Sequence, residues 1–411
     1  MPIRSRHLAI CATAILAACH SDSDSRAWLE RVATVASPAA SGSRYPQLEQ
    51  GPDGFVAMSW LQPGSEGHEL RFSTWHGRGW TESRAVATGP DFFVNWADVP
   101  SVVPGPGNLR LAHWLQSHPG NAYSYDVRIV ASTDAGQSWS EPIVPHEDGT
   151  ATEHGFVSLL RDRDAWLAIW LDGRETGSAT HDEADAAAHG IGNMGLRYAR
   201  IDDAGTLLDE SQLLDARVCD CCQTDAALTT AGPIVVYRDR SETEIRDIAI
   251  VRLGERGWSA PQRVHDDEWQ TAACPVNGPA VAAQGNLVAV AWFTAPDQPR
   301  VRLAFSSDSG QTFAAPIEVA SGRVTGRVDV ALLNDGRAAV SWLDESSAHA
   351  RILVNVFDQH GAAGDAVVLA ETSVQRAAGF PRMARIGDKL LFAWTEPGEP
   401  AAIRTAVARL R

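Results

Sequence analysis

Seven short apolar strands, each ending in an aromatic residue, recur roughly every 55 residues, and a period in that range restricts the chain to solenoids, propellers or arrays. They end at Trp60, Trp114, Trp170, Tyr237, Trp292, Trp342 and Trp394. Each follows a short extended segment, usually across a turn such as Leu333-Asn334-Asp335-Gly336. Each precedes another alternating strand, for example Val301-Arg302-Leu303-Ala304-Phe305, and then a fourth segment of the kind Trp258-Ser259-Ala260-Pro261-Gln262-Arg263-Val264. Helical periodicity is nearly absent. Four short strands per unit make the blade of a β-propeller, so the expected fold class is all-β, a closed propeller over residues 27–411. Seven units predict seven blades, or six if one unit is not a full blade. The last unit stops after its third strand near Leu410, while Trp28-Leu29-Glu30-Arg31-Val32-Ala33 reads as a strand without a partner. An open ring would leave two pairing edges bare, so the N-terminal strand is expected to complete the last blade.

Hydrophobic residues make up 44% and charged residues 21% of the chain, which suits a packed globular domain. The net charge of −16 and the lack of any basic run argue against a nucleic-acid partner.

The first eighteen residues read as an address. Arg4 and Arg6 precede an apolar run from Leu8 to Ala18 that is too short for a membrane-spanning helix. Its end, Leu16-Ala17-Ala18-Cys19, resembles the bacterial lipobox. That resemblance implies cleavage after residue 18, lipidation of Cys19 with palmitate among the acyl groups, a linker over residues 19–26, and attachment to the membrane through the lipid alone. His20 stands where an enterobacterial inner-membrane retention signal would have Asp, so the expected location is the outer membrane, facing the periplasm.

Two turns carry a sharper signature. Ser132-Thr133-Asp134-Ala135-Gly136-Gln137-Ser138-Trp139 and Ser306-Ser307-Asp308-Ser309-Gly310-Gln311-Thr312-Phe313 both resemble the Asp-box, or BNR repeat, of the sialidase-like propellers. Ser43-Arg44-Tyr45-Pro46 resembles that family's F/Y-R-I-P motif, whose arginine helps clamp a substrate carboxylate. The resemblance implies Arg44 as a clamp residue, Arg327 and Arg382 as its partners, and Asp98 as the acid, with a glycan as ligand. Sialidases also use a late Tyr polarised by a Glu, and no Tyr follows Tyr237 here. Without that nucleophile the family's covalent intermediate has no source, so catalysis is left open and little release of sialic acid is expected.

A different constellation gathers where loops lead into and out of the inner strands, which share one face of a propeller. Cys219-Asp220-Cys221-Cys222 and Cys274-Pro275-Val276-Asn277 each precede the inner strand of consecutive units. His154 does the same one unit earlier, and the loop carrying His181 and His189 lies on that rim. Three readings stand for Cys219, Cys221, Cys222 and Cys274: disulfides, natural for an even number of thiols in an oxidising compartment; a soft metal site for Cu or Zn with those histidines; or thiol redox chemistry. Asp172, Arg174, Arg238, Asp239, Arg240 and Asn277 are the candidate ligand-binding groups beside them. The functional expectation is an envelope lipoprotein whose Cys/His/Arg/Asp-rich upper face binds a small ligand or a soft metal ion. A sialidase-type glycoside hydrolase and a scaffold for an envelope protein partner are the alternatives.

Overall fold

The computed structural model describes residues 27–120, 123–177, 192–345 and 349–411. Cys19, His181, His189 and the two N-terminal segments at 1–18 and 19–26 fall outside the described residues.

The strands form seven antiparallel sheets, each a meander from an inner to an outer edge, arranged as a seven-bladed propeller. Blade 1 runs Arg44–Gln50, Val56–Gly64, Gly67–Trp75 and Arg84–Gly89. The inner strands of blades 3 to 7 are His154–Asp162, Asp225–Thr229, Ala280–Gln284, Val324–Leu332 and Arg382–Ile386. Blade 2 has three full strands starting at Ser101–Pro104, and its fourth edge is reduced to one bridge between Ile129 and Ile143. Ala33–Val35 pairs antiparallel with the last strand, Ala33 opposite Val407 and Val35 opposite Thr405. Leu29 adds a bridge to Leu410. The N-terminal segment therefore closes the ring.

The periodic aromatics are where the alternation puts them. Trp60, Trp170 and Tyr237 are fully buried, and Trp114, Trp292, Trp342 and Trp394 nearly so. Among the described residues the apolar side chains form seven clusters, each built mainly from two consecutive blades, such as Leu167 and Tyr198 of blade 3 with Val235 and Tyr237 of blade 4. There is no single core; the hydrophobic stabilisation is divided among the seams.

The two boxed turns share one hydrogen-bond set. Asp134 Oδ1 accepts from Ser138 N at 2.9 Å and Ser132 Oγ accepts from Gly136 N at 2.8 Å. Asp308 and Ser306 do the same for Thr312 N and Gly310 N at 2.9 Å each. Gly136 is at φ 78°, and a Cβ there would stand 2.3 Å from the Phe72 ring of blade 1, so only glycine fits.

Short side chains latch successive inner strands around the axis. Asp98 Oδ1 accepts from Phe156 N at 2.8 Å, Asp225 Oδ2 from Val281 N at 2.7 Å, Asn277 Oδ1 from Arg327 N at 2.8 Å and Asp329 Oδ2 from Met383 N at 2.7 Å. These bonds hold blades 2 to 3 and 4 to 7 in register and line the bore with carboxyl groups.

Candidate functional site

The four cysteines meet at the seam between blades 4 and 5. Cys221 and Cys274 form a disulfide with Cα atoms 6.1 Å apart. Cys219 and Cys222 are free thiols, each 1% exposed, with sulfurs 3.1 Å apart. Cys219 Sγ also lies 3.9 Å from Cys221 Sγ. A turn at residues 220–221 allows this: Cys219 N is tied to Arg238 O at 2.9 Å, and Val218 bridges Asp239, so the loop hangs on the end of blade 4's second strand. Extended strand would have sent Cys221 and Cys222 to opposite faces; here one joins the disulfide and the other the thiol pair.

Arg246 is fully buried and aims Nη1 at Cys219 Sγ, 3.2 Å away, while Nε donates to Thr271 O at 3.0 Å and Nη2 to Glu244 Oε2 at 2.9 Å. Burial alone would raise the Cys219 thiol. The Cys222 hydrogen bond and the Arg246 and Arg238 guanidiniums outweigh it and bring Cys219 down to about 6. Burial, and the charge of Cys219 beside it, push Cys222 up. The pair thus favours one thiolate and one thiol.

Arg238, 1% exposed, is a structural hub. It donates twice to Asn277 O (3.0 and 2.8 Å), to Phe293 O at 2.7 Å and to Arg246 O at 2.6 Å, and its guanidinium lies 5.0 Å from the Trp269 ring centre. Arg240 is tied to Glu244 at 2.8 Å and to Asp220 at 3.2 Å. Burial raises Asp239 to about 6.

The upper end of the bore carries a plug. Arg327 donates to Gly379 O at 2.8 Å and Val374 O at 3.0 Å and stacks 4.8 Å over Trp96, which itself stacks on Phe380 at 5.7 Å. Gln223 spans from blade 4 to Ala97 O at 2.7 Å and to Gly278 N at 2.9 Å. Below lies a cavity of about 770 Å³ lined by Glu49, Asp98, Asp225, Asp329 and Arg382 among others. Burial raises Asp98 to about 8, and Glu49 and Asp225 to about 7. Of the clamp residues implied by the sialidase resemblance, Arg382 faces this cavity, Arg327 is held in the plug, and Arg44 lines neither. None of the four cysteines lines the cavity, and Cys221 packs against the apolar cluster shared by blades 3 and 4.

His154 belongs to another seam, between blades 2 and 3. Its Nε2 lies 3.1 Å from Asp148 Oδ2 and its ring stacks on His146 at 3.7 Å. Arg174 ties Asp172 (2.6 Å) to Asp148 (3.1 Å), and Trp170 Nε1 donates to Asp172 at 2.8 Å. Burial and the neighbouring His154 pull His146 down to about 4. His154, Asp172 and Arg174 are therefore brought together, and apart from the cysteines. Sequence reading missed His146, Asp148 and Trp96. The Asp148-Gly149-Thr150 turn, which leads into the inner strand His154–Asp162, was the available signal for the first two.

No protein-family model matches the chain, and no curated protein does. Solved structures share its general shape. A protein of unknown function from Dyadobacter fermentans is 13% identical over 94% of this chain and 100% of its own, with a TM-score of 0.49. The Trypanosoma rangeli sialidase, solved with the inhibitor DANA, is 12% identical over 81% of this chain and 56% of its own, with a TM-score of 0.47. The GH93 α-L-arabinofuranosidase of Fusarium graminearum, solved with arabinobiose, is 13% identical over 93% and 98%, with a TM-score of 0.46. The structural neighbours include sialidase-like β-propellers, and at these identities the likeness concerns fold alone.

Proposed function

We propose that this chain is a lipid-anchored propeller of the bacterial envelope that binds a soft metal ion, Cu(I), at the seam between blades 4 and 5. One observation carries the reading: two free, buried thiols with sulfurs 3.1 Å apart. Thiolates select soft ions. Zn²⁺ in a structural site takes four ligands, which would require Cys221 and Cys274 to be reduced as well. Two thiolates suffice for a low-coordinate Cu(I), and the resulting single negative charge is met by Arg246. The lipid anchor rests on Cys19 and the lipobox resemblance. A glycoside-hydrolase role has less in its favour, because Arg327 is held by backbone carbonyls in the plug.

Anaerobic titration with Cu(I) against a chromophoric chelator tests the reading. One ion per chain is expected in the wild type and none held competitively in Cys219→Ser or Cys222→Ser. Equal uptake by all three proteins would sink it.

A further inference from the structure

The thiols that carry the proposed metal site are buried, whereas the disulfide beside them is partly exposed on both cysteines. A thiol buried beside a disulfide is not only a ligand; it is also a nucleophile with an electrophile in reach. The sulfurs form a series: Cys222 to Cys219 at 3.1 Å, Cys219 to Cys221 at 3.9 Å, and Cys221 bonded to Cys274. Arg246 Nη1 lies 3.2 Å from Cys219 Sγ, so a cation stands beside the sulfur at the centre of the series.

We propose that the four cysteines are an internal disulfide relay, in which Cys219 moves the single disulfide from the surface pair Cys221–Cys274 to the buried pair Cys219–Cys222. The first step forms the Cys219–Cys221 bond and breaks Cys221–Cys274, and the electron pair leaves on Cys274 as a thiolate. In the second step Cys222, its proton passing to Cys274, attacks Cys219; the Cys219–Cys222 bond forms and Cys221 leaves as a thiolate. One disulfide and two reduced sulfurs are present before and after, so no external oxidant or reductant enters. The net effect is to turn a surface disulfide over a buried dithiol into a surface dithiol over a buried disulfide.

The relay deepens the metal reading and rests on it for its purpose. The surface form presents Cys221 and Cys274 as a dithiol that can take a soft cation from solvent, and reversal of the relay delivers reduced sulfur to the seam.

The sequence makes the test readable. Trypsin cuts after Arg217, Arg238, Arg263 and Arg300, so Cys219, Cys221 and Cys222 share peptide 218–238 while Cys274 lies on peptide 264–300. The full folded chain, metal-free and under argon, is incubated with N-ethylmaleimide, which traps the released Cys274 thiolate. It is then quenched in acid and digested without reductant. The wild type should convert with time from linked peptides to a separate pair, with a disulfide inside 218–238 and maleimide on Cys274. Cys219→Ser should stay linked, and Cys222→Ser should still separate through a Cys219–Cys221 bond. A wild type that stays linked, or a Cys219→Ser variant that separates equally fast, overturns the relay. Isolation of the wild type with all four thiols alkylated does so too. Because no metal is added, a chain that stays linked yet takes up Cu(I) loses the relay and keeps the metal site.

Discussion

Two seams of the same ring bury charge in opposite ways. Between blades 2 and 3, Asp148, Asp172, His154 and Arg174 answer one another within about the reach of a hydrogen bond: Arg174 holds both carboxylates and Trp170 and Thr150 take remaining oxygens. Paired in this way the carboxylates are mostly committed, and His154 Nδ1 is the atom of this group left buried without a partner. Between blades 4 and 5, Arg246 has one donor on a carbonyl, one on Glu244 and one on a sulfur. A thiol can lose its proton, take a metal or exchange a bond, so that seam holds a counter-ion that can change. A charge-rich cluster on a propeller rim is thus not in itself a site; what matters is whether a partner can be replaced.

The strongest way to break the comparison is at Asp172. Asp172→Ala leaves the Trp170 indole without its acceptor and Arg174 with Asp148 as its one remaining carboxylate in a buried seam, and should cost about 3 kcal/mol in denaturant unfolding. Cu(I) stoichiometry of the folded protein should not change. Loss of metal binding with little loss of stability would mean that the paired seam is functional after all.

Next in size is a pH effect in the bore beside that seam. Asp98 is raised by burial to about 8 in the folded chain, against 3.8 as its ordinary value. Between these values the unfolded chain releases a proton that the folded chain keeps, so Asp98 makes stability fall as pH rises, by at most about 1.4 kcal/mol per pH unit. Asp98→Asn keeps an acceptor for Phe156 N and should match the wild type near pH 4 but exceed it at pH 7. Urea midpoints measured across that range check this; parallel curves would show that Asp98 is ionised in the fold.

The fold was legible because its signal is repeated. Seven aromatics at one period, and a strand missing at one end of the chain with a spare strand at the other, define a closed ring before any contact is known. The cysteine seam was legible in part, since two segments leading into adjacent inner strands must lie side by side. Which sulfurs bond was not legible, because it depends on a loop that leaves extended geometry at Cys219–Cys222. The arginines were the least legible. Arg382 opens its inner strand opposite Ala393 and faces the cavity, whereas Arg327 sits inside its strand in a bulge after Gly326, at φ 50°, and goes into the plug. The bulge takes Arg327 out of the register that Arg382 keeps, and single-sequence periodicity reports neither a bulge nor φ.

The smallest expected effect sharpens the comparison from the other seam. Arg246→Met keeps much of the side-chain volume but removes three donors, and the lost bonds to Thr271 O and Glu244 should lower stability by about 1–2 kcal/mol. The informative change is in the thiol. With the guanidinium gone, burial works against the thiolate with less opposition, so the Cys219 titration, followed by ultraviolet thiolate absorbance, should move up from about 6. The linkage has the opposite sign to that of Asp98. Cys219 is depressed in the fold relative to its ordinary 9.0, so the wild type gains stability as pH rises from about 6 towards 9, and the variant should lose part of that gain. Cys222, held above its ordinary value, adds no second proton in this window. A variant whose Cys219 titrates as in the wild type would show that the Cys222 hydrogen bond alone sets the thiolate. Arg246 would then be a structural charge of the same kind as Arg174, and the two seams would differ only in the sulfur they contain.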